Sequence, residues 1–177
     1  MNNNSASPDT KTVNHSAEKG PNSQELLSVA ATHLNNGALV EGKEACDQIL
    51  KTEPKHPMAL HILGIIFDQM GDTRKAIDLV SQALKITPRY AEAHYNLGNF
   101  FKNTGNSDAS LKSYQNAISI NPDFPMAYNN SGVVLHDRGE LESAIAKYRK
   151  ALLLKSDYAE AHFNLALTLQ TQGKVDE

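Results

Sequence analysis

Between Ala91 and Ile120 the apolar residues follow a helical period twice over, with one interruption. Leu97, Gly98 and Phe101 fall at helical spacing, so a first helix is expected over about Ala91–Asn103 with one buried face. Gly105 breaks the pattern as a left-handed helix cap. Asn106 or Ser107 then caps a second helix that runs to about Ile120. Pro122 ends it, because proline pushes the residue before it out of helical geometry.

The same pattern recurs at a fixed distance. Gly37, Gly71, Gly105, Gly139 and Gly173 are each 34 residues apart. So are Pro54, Pro88 and Pro122, with Ser156 at the next step. Ala83, Ala117 and Ala151 share one position, and Tyr114 and Tyr148 another. Ala76 and Ala144 match, while Ser110 departs from them. Leu63-Gly64 and Leu97-Gly98 are followed by Ser131-Gly132 and Leu165-Ala166. The stretch YAEAHYNLG from Tyr90 returns as YAEAHFNLA from Tyr158. The units are therefore 23–56, 57–90, 91–124, 125–158 and a partial 159–177, with Pro57 and Pro125 opening their first helices.

The small residues have a packing reason. Gly64, Gly98, Gly132 and Ala166 let the two helices of a unit approach closely, and Ala83, Ala117 and Ala151 let one unit nest on the next. Tyr114, Tyr148, Phe67, Phe101, Leu135 and Leu169 fill the remaining space. Leu97→Ala is expected to cost about 2–5 kcal/mol in this register.

The period and pattern resemble those of the tetratricopeptide repeat (TPR) family, over residues 23–177. The first unit departs from the pattern, with Gly42, Cys46 and His33 where the family carries Ala, an aromatic and a large apolar residue. The resemblance implies an all-α, right-handed TPR superhelix whose first helices line a concave groove. The individual repeats look most like those preceding the catalytic domain of protein O-linked N-acetylglucosamine transferases. In those arrays an Asn of the NLG motif lines the groove, and Asn96, Asn130 and Asn164 match that position, with Ile62 interrupting the row. The function implied is a protein-interaction scaffold holding an extended peptide or a partner protein. The alternative is a substrate-docking arm of a longer glycosyltransferase-like, sulfotransferase or methyltransferase enzyme.

By register the groove residues are His61, Glu92, Tyr95, Asn96, Asn99, Lys102, Asn129, Asn130, Val133, His136, Glu160, Phe163 and Asn164, all expected to be exposed. Asp68, Gln69, Asn103, Met126, Asp137 and Leu167 border them. Asn both donates and accepts hydrogen bonds, which suits an extended backbone without demanding one sequence. Tyr95 and Phe163 are expected to be anchors. Some TPR proteins grip a C-terminal carboxylate with Lys, Asn, Asn, Lys and Arg. Asn99 and Asn130 match two of those positions, but Tyr95, Glu160 and Asn164 replace the cations, so that mode is not expected.

Composition narrows the partners. Net charge is −3 with 40% hydrophobic and 6% aromatic residues, so no basic excess recruits nucleic acid or anionic lipid. No apolar run approaches the roughly 20 residues of a membrane helix. Residues 1–22, rich in Asn, Ser and Thr, read as a disordered tail rather than a secretory signal. Asn22 and Glu25 form a capping-box pair at its end. Cys46 is the single cysteine and reads as a core thiol in a cytoplasmic setting.

Chemistry finds no foothold. His94 and His162 hold one position two units apart, roughly 20 Å by helix packing, and a shared zinc would need nitrogens at about 2.0–2.1 Å. They are expected to pack between units. No phosphate loop or nucleophile–base pattern occurs, so no catalytic residue, cofactor or metal is expected. His136 beside Asp137 reads as a surface pair. The last residues, Gly173–Glu177, are expected to open a second helix without completing it, which implies a piece of a longer protein. Leu165, Leu167 and Leu169 would then expose apolar area and favour self-association.

Overall fold

The computed structural model describes residues 21–175. The expected tail, apart from Pro21 and Asn22, lies outside them. The nine helices among the described residues are α1 (Ser23–Asn35), α2 (Leu39–Thr52), α3 (Pro57–Gln69), α4 (Thr73–Ile86), α5 (Ala91–Asn103), α6 (Ser107–Ile120), α7 (Pro125–Asp137), α8 (Leu141–Leu154) and α9 (Ala159–Val175). The fold is an all-α superhelix of antiparallel pairs, as the period predicts.

The turns show why the helices stop where they do. Gly105 has φ 76°. Its N–H bonds the carbonyl of Lys102 at 3.0 Å, and the next N–H, of Asn106, bonds that of Phe101 at 2.9 Å. Those two bonds close the helix end in the Schellman manner. The Asn106 side chain then accepts from Ala109 N–H at 3.2 Å and starts α6. Two residues thus end one helix and begin the next. Gly37, Gly71 and Gly139 take the same backbone conformation. At the array's start the capping box forms as expected, with Asn22 and Glu25 each bonding the other's backbone N–H at 3.0 Å.

Gly173 is the exception. It was expected to turn the chain, and it lies inside α9 instead. A left-handed turn glycine is stabilised by the helix that follows and docks back. α9 runs through Gly173 to Val175 with no turn at the glycine.

Within each pair the contact is set by matched sizes. A Cβ on Gly98 would lie 2.5 Å from Tyr114 Cε1, and one on Gly132 would lie 2.5 Å from Tyr148 Cε1. The tyrosine ring therefore lies directly on the facing helix backbone. In the second unit Val80 faces Gly64, and in the first Cys46 and Ala30 occupy the equivalent positions. Tyr114, Tyr148, Val80 and Cys46 are all fully buried. Burial pushes the Cys46 thiol up to about 12, with Asp47 adding to the shift.

Candidate partner-binding face

The first helices of successive units, α1, α3, α5, α7 and α9, touch one another in order, while α2, α4, α6 and α8 do not. The array therefore curves with the first helices on its inner side. That inner layer carries the residues singled out from the sequence.

A row of polar contacts joins its helices at a constant offset. Asn96 Nδ2 donates to His61 Nε2 at 2.8 Å. Asn130 Nδ2 donates to the Tyr95 hydroxyl at 3.1 Å, and Asn164 Nδ2 to Asn129 Oδ1 at 3.1 Å. Each pair is 35 residues apart, one more than the repeat. The first step of the row is apolar, with Leu27 packed against the cluster that holds Ile62. The interruption at Ile62 is thus matched by its neighbour.

Three expectations about exposure, at His61, Asn129 and Asn130, fail for this reason. His61 is 5% exposed and Asn129 is fully buried. Both lie under the bonds they make to the next unit. Asn130, at 9%, is also below the surface, donating to Asn99 Oδ1 at 2.9 Å as well. Asn99 in turn accepts from the Tyr114 hydroxyl at 2.7 Å. A buried amide must be satisfied or cost about 1–3 kcal/mol, and these are satisfied by one another. Tyr95 is half-buried rather than a free anchor, since its ring packs on Phe124 with centroids 4.9 Å apart.

His61 has a defined protonation state. Asn96 donates to its Nε2, so the proton sits on Nδ1 and is offered to the Tyr90 hydroxyl at 2.8 Å. The two rings meet edge-on at 4.8 Å. Burial pushes His61 down from 6.5 to about 4, which keeps it neutral and able to accept.

The other predicted residues divide by exposure. Glu92, Glu160 and Phe163 are exposed, Phe163 at 67%. Asn96, Asn99, Lys102, Val133, His136 and Asn164 are half-buried. His136 Nδ1 and the buried Thr168 hydroxyl lie 2.8 Å apart, so His136 pairs with the next unit rather than with Asp137. Glu160 is held by Asn129 at 3.0 Å and more loosely by Tyr158 at 3.4 Å. His94 and His162 bond the carbonyls of Pro88 and Ser156, at the end of the preceding unit, at 3.0 and 2.8 Å. No group of three His, Cys, Asp or Glu side chains among the described residues is placed to hold a metal ion. No described helix is long and apolar enough to cross a membrane.

Sequence reasoning missed Met58, which is 46% exposed and shares an open hollow with Gln24, Leu27 and Ile62. The signal was available, because Met58 occupies the repeat position of Glu92, Met126 and Glu160.

Family models for tetratricopeptide repeats match residues 64–105, 91–124, 113–146 and 132–173, and together run without a gap from 64 to 173. With the helix pairs, the turn glycines and the period in place, the chain belongs to the TPR family. No curated protein matches it by sequence. Among solved structures it is similar to MamA, at 24% identity and TM-score 0.74, covering 85% of this chain and 82% of that one. It is also similar to PilF of Pseudomonas aeruginosa, at 18% identity and TM-score 0.81, covering 86% and 69%. A chain of the Cut9–Hcn1 hetero-tetramer of APC/C matches at 17% identity and TM-score 0.79, covering 83% of this chain and 30% of that one. At these identities the likeness is one of fold.

Proposed function

We propose that the protein is an interaction scaffold whose inner layer holds an extended segment of a partner protein. The observation that carries this reading is the contrast along that layer. A rigid, internally bonded row fixes the helices, and unbonded large side chains stand beside it: Met58, Met126 and Phe163, 46%, 45% and 67% exposed. Exposed apolar side chains in line mark a surface suited to partners. Glu92 and Lys102 supply charge beside them, and Val133 and Leu167 apolar area. Asn96 and Asn164 spend an amide N–H on the preceding unit, which leaves their oxygens to accept from a peptide backbone. The match to a chain within a hetero-tetramer supports a protein as the partner class.

The test is a photo-crosslinker placed at Phe163 on α9 or at the exposed Gln115 on α6, in cells of the source. Partner bands should form from 163 and not from 115. Bands from 115 alone would move the surface to the second helices. Leu167 and Leu169, each 43% exposed, keep self-association through α9 as a related reading. A monomer by light scattering at high concentration contradicts it.

A further inference from the structure

One position of the inner layer alternates in chemistry from unit to unit. Met58, Glu92, Met126 and Glu160 stand 34 residues apart and all are exposed. They lie on the partner side of the polar row, since Met58 shares a hollow with Ile62 and Glu160 is bonded by Asn129. The charged residues of α5, α7 and the first turn of α9 are Glu92, Lys102, Asp137 and Glu160, three acids against one base. Glu160 is held in place by Asn129 before any partner arrives, so its orientation costs nothing at binding.

The spacing fixes the partner's pattern. Adjacent packed helices lie about 8–10 Å apart, so Glu92 and Glu160 are separated by roughly 16–20 Å with Met126 midway. An extended chain advances about 3.3 Å per residue and covers that distance in five to six residues.

We infer that the inner layer selects an extended segment with two basic side chains five to six residues apart and an apolar side chain midway, the bases pairing with Glu92 and Glu160 and the apolar group lying on Met126. This rests on the scaffold reading above and adds the partner's chemistry to it. Methionine suits the middle position because its flexible thioether adapts to different apolar groups.

The probe is a fluorescent Gly/Ser peptide with two lysines at that spacing and one leucine between them. Controls replace both lysines by Gln or by Glu. Anisotropy is read against the unaltered chain, the double variant Glu92→Gln/Glu160→Gln, and Phe163→Ala. Gln at 160 still accepts from Asn129, so the double variant keeps its fold, checked by an unchanged Tm. The lysine peptide should bind roughly five- to tenfold tighter than the Gln peptide, as two exposed ion pairs allow. That advantage should vanish in the double variant and at high salt. Equal binding of lysine and Gln peptides, an advantage that survives in the double variant, or no binding of any peptide overturns the inference. If the Gln peptide binds and Phe163→Ala weakens it, the scaffold reading stands without the basic pattern. If Phe163→Ala changes no peptide's binding, the scaffold reading loses its support as well.

Discussion

The second and third units solve one packing problem in two ways. In the second, Val80 sits on Gly64, and the next residue of α3 is Ile65. In the third, Tyr114 sits on Gly98, and the equivalent next position is Asn99, which accepts the tyrosine hydroxyl. A valine fills the gap and stops there. A tyrosine fills the gap and reaches through to the inner layer, where Asn99 passes the contact to Asn130 of the following unit. The residue that fills the gap is therefore bonded through to the next unit in the third unit, whereas in the second the bond to the next unit comes from His61 on α3 instead. The change of residue at one position is matched by a change at another, on a different helix.

This contrast predicts unequal costs. Tyr114→Ala should lower stability by about 3–5 kcal/mol, since a buried aromatic leaves a large cavity, and it should also remove one of the two donors to Asn99. Val80→Ala should cost clearly less in the same urea titration. Equal costs would mean that neither the ring's larger volume nor its hydroxyl bond adds to stability.

The join between these two units is sensitive to acid. His61 is neutral in the fold with its pKa near 4, while in the unfolded chain it titrates near 6.5. The unfolded chain takes up the proton first as pH falls, so this contribution is complete above 6.5 and is lost between 6.5 and 4. The shift corresponds to about 3 kcal/mol. Urea midpoints measured at pH 7, 5.5 and 4 should fall, and His61→Leu should flatten the fall.

Gly98→Ala comes next, at about 1–3 kcal/mol, because its Cβ has to displace a buried ring. Gly105→Ala has free space around it and costs about 1 kcal/mol from its positive φ alone. Thermal melts of the two variants separate crowding from backbone strain.

Much of this architecture is legible in the chain. The helix bounds over 91–120, the turn glycines up to Gly139 and the caps follow from spacing and local chemistry, which act within a few residues. The inner surface was less legible. A period of 34 compares each residue with its equivalent, whereas the bonds run to the residue one further on. Asn129 thus read as exposed because its equivalents Tyr95 and Phe163 are large and variable, although its partner is Asn164. The clue lay on the diagonal: polar residues at 61, 95 and 129 meet Asn at 96, 130 and 164, and apolar Leu27 meets apolar Ile62.

A double-mutant cycle at Asn129 and Asn164 measures the diagonal pairing itself. Asn129→Leu and Asn164→Ile copy the Leu27–Ile62 step into the other end of the array. Each single change should cost about 1–3 kcal/mol by removing the bond between Asn164 Nδ2 and Asn129 Oδ1 from one side. The double variant should recover at least about 1 kcal/mol of the summed loss. Losses that simply add would show that the two residues do not act as a pair, and would contradict the account.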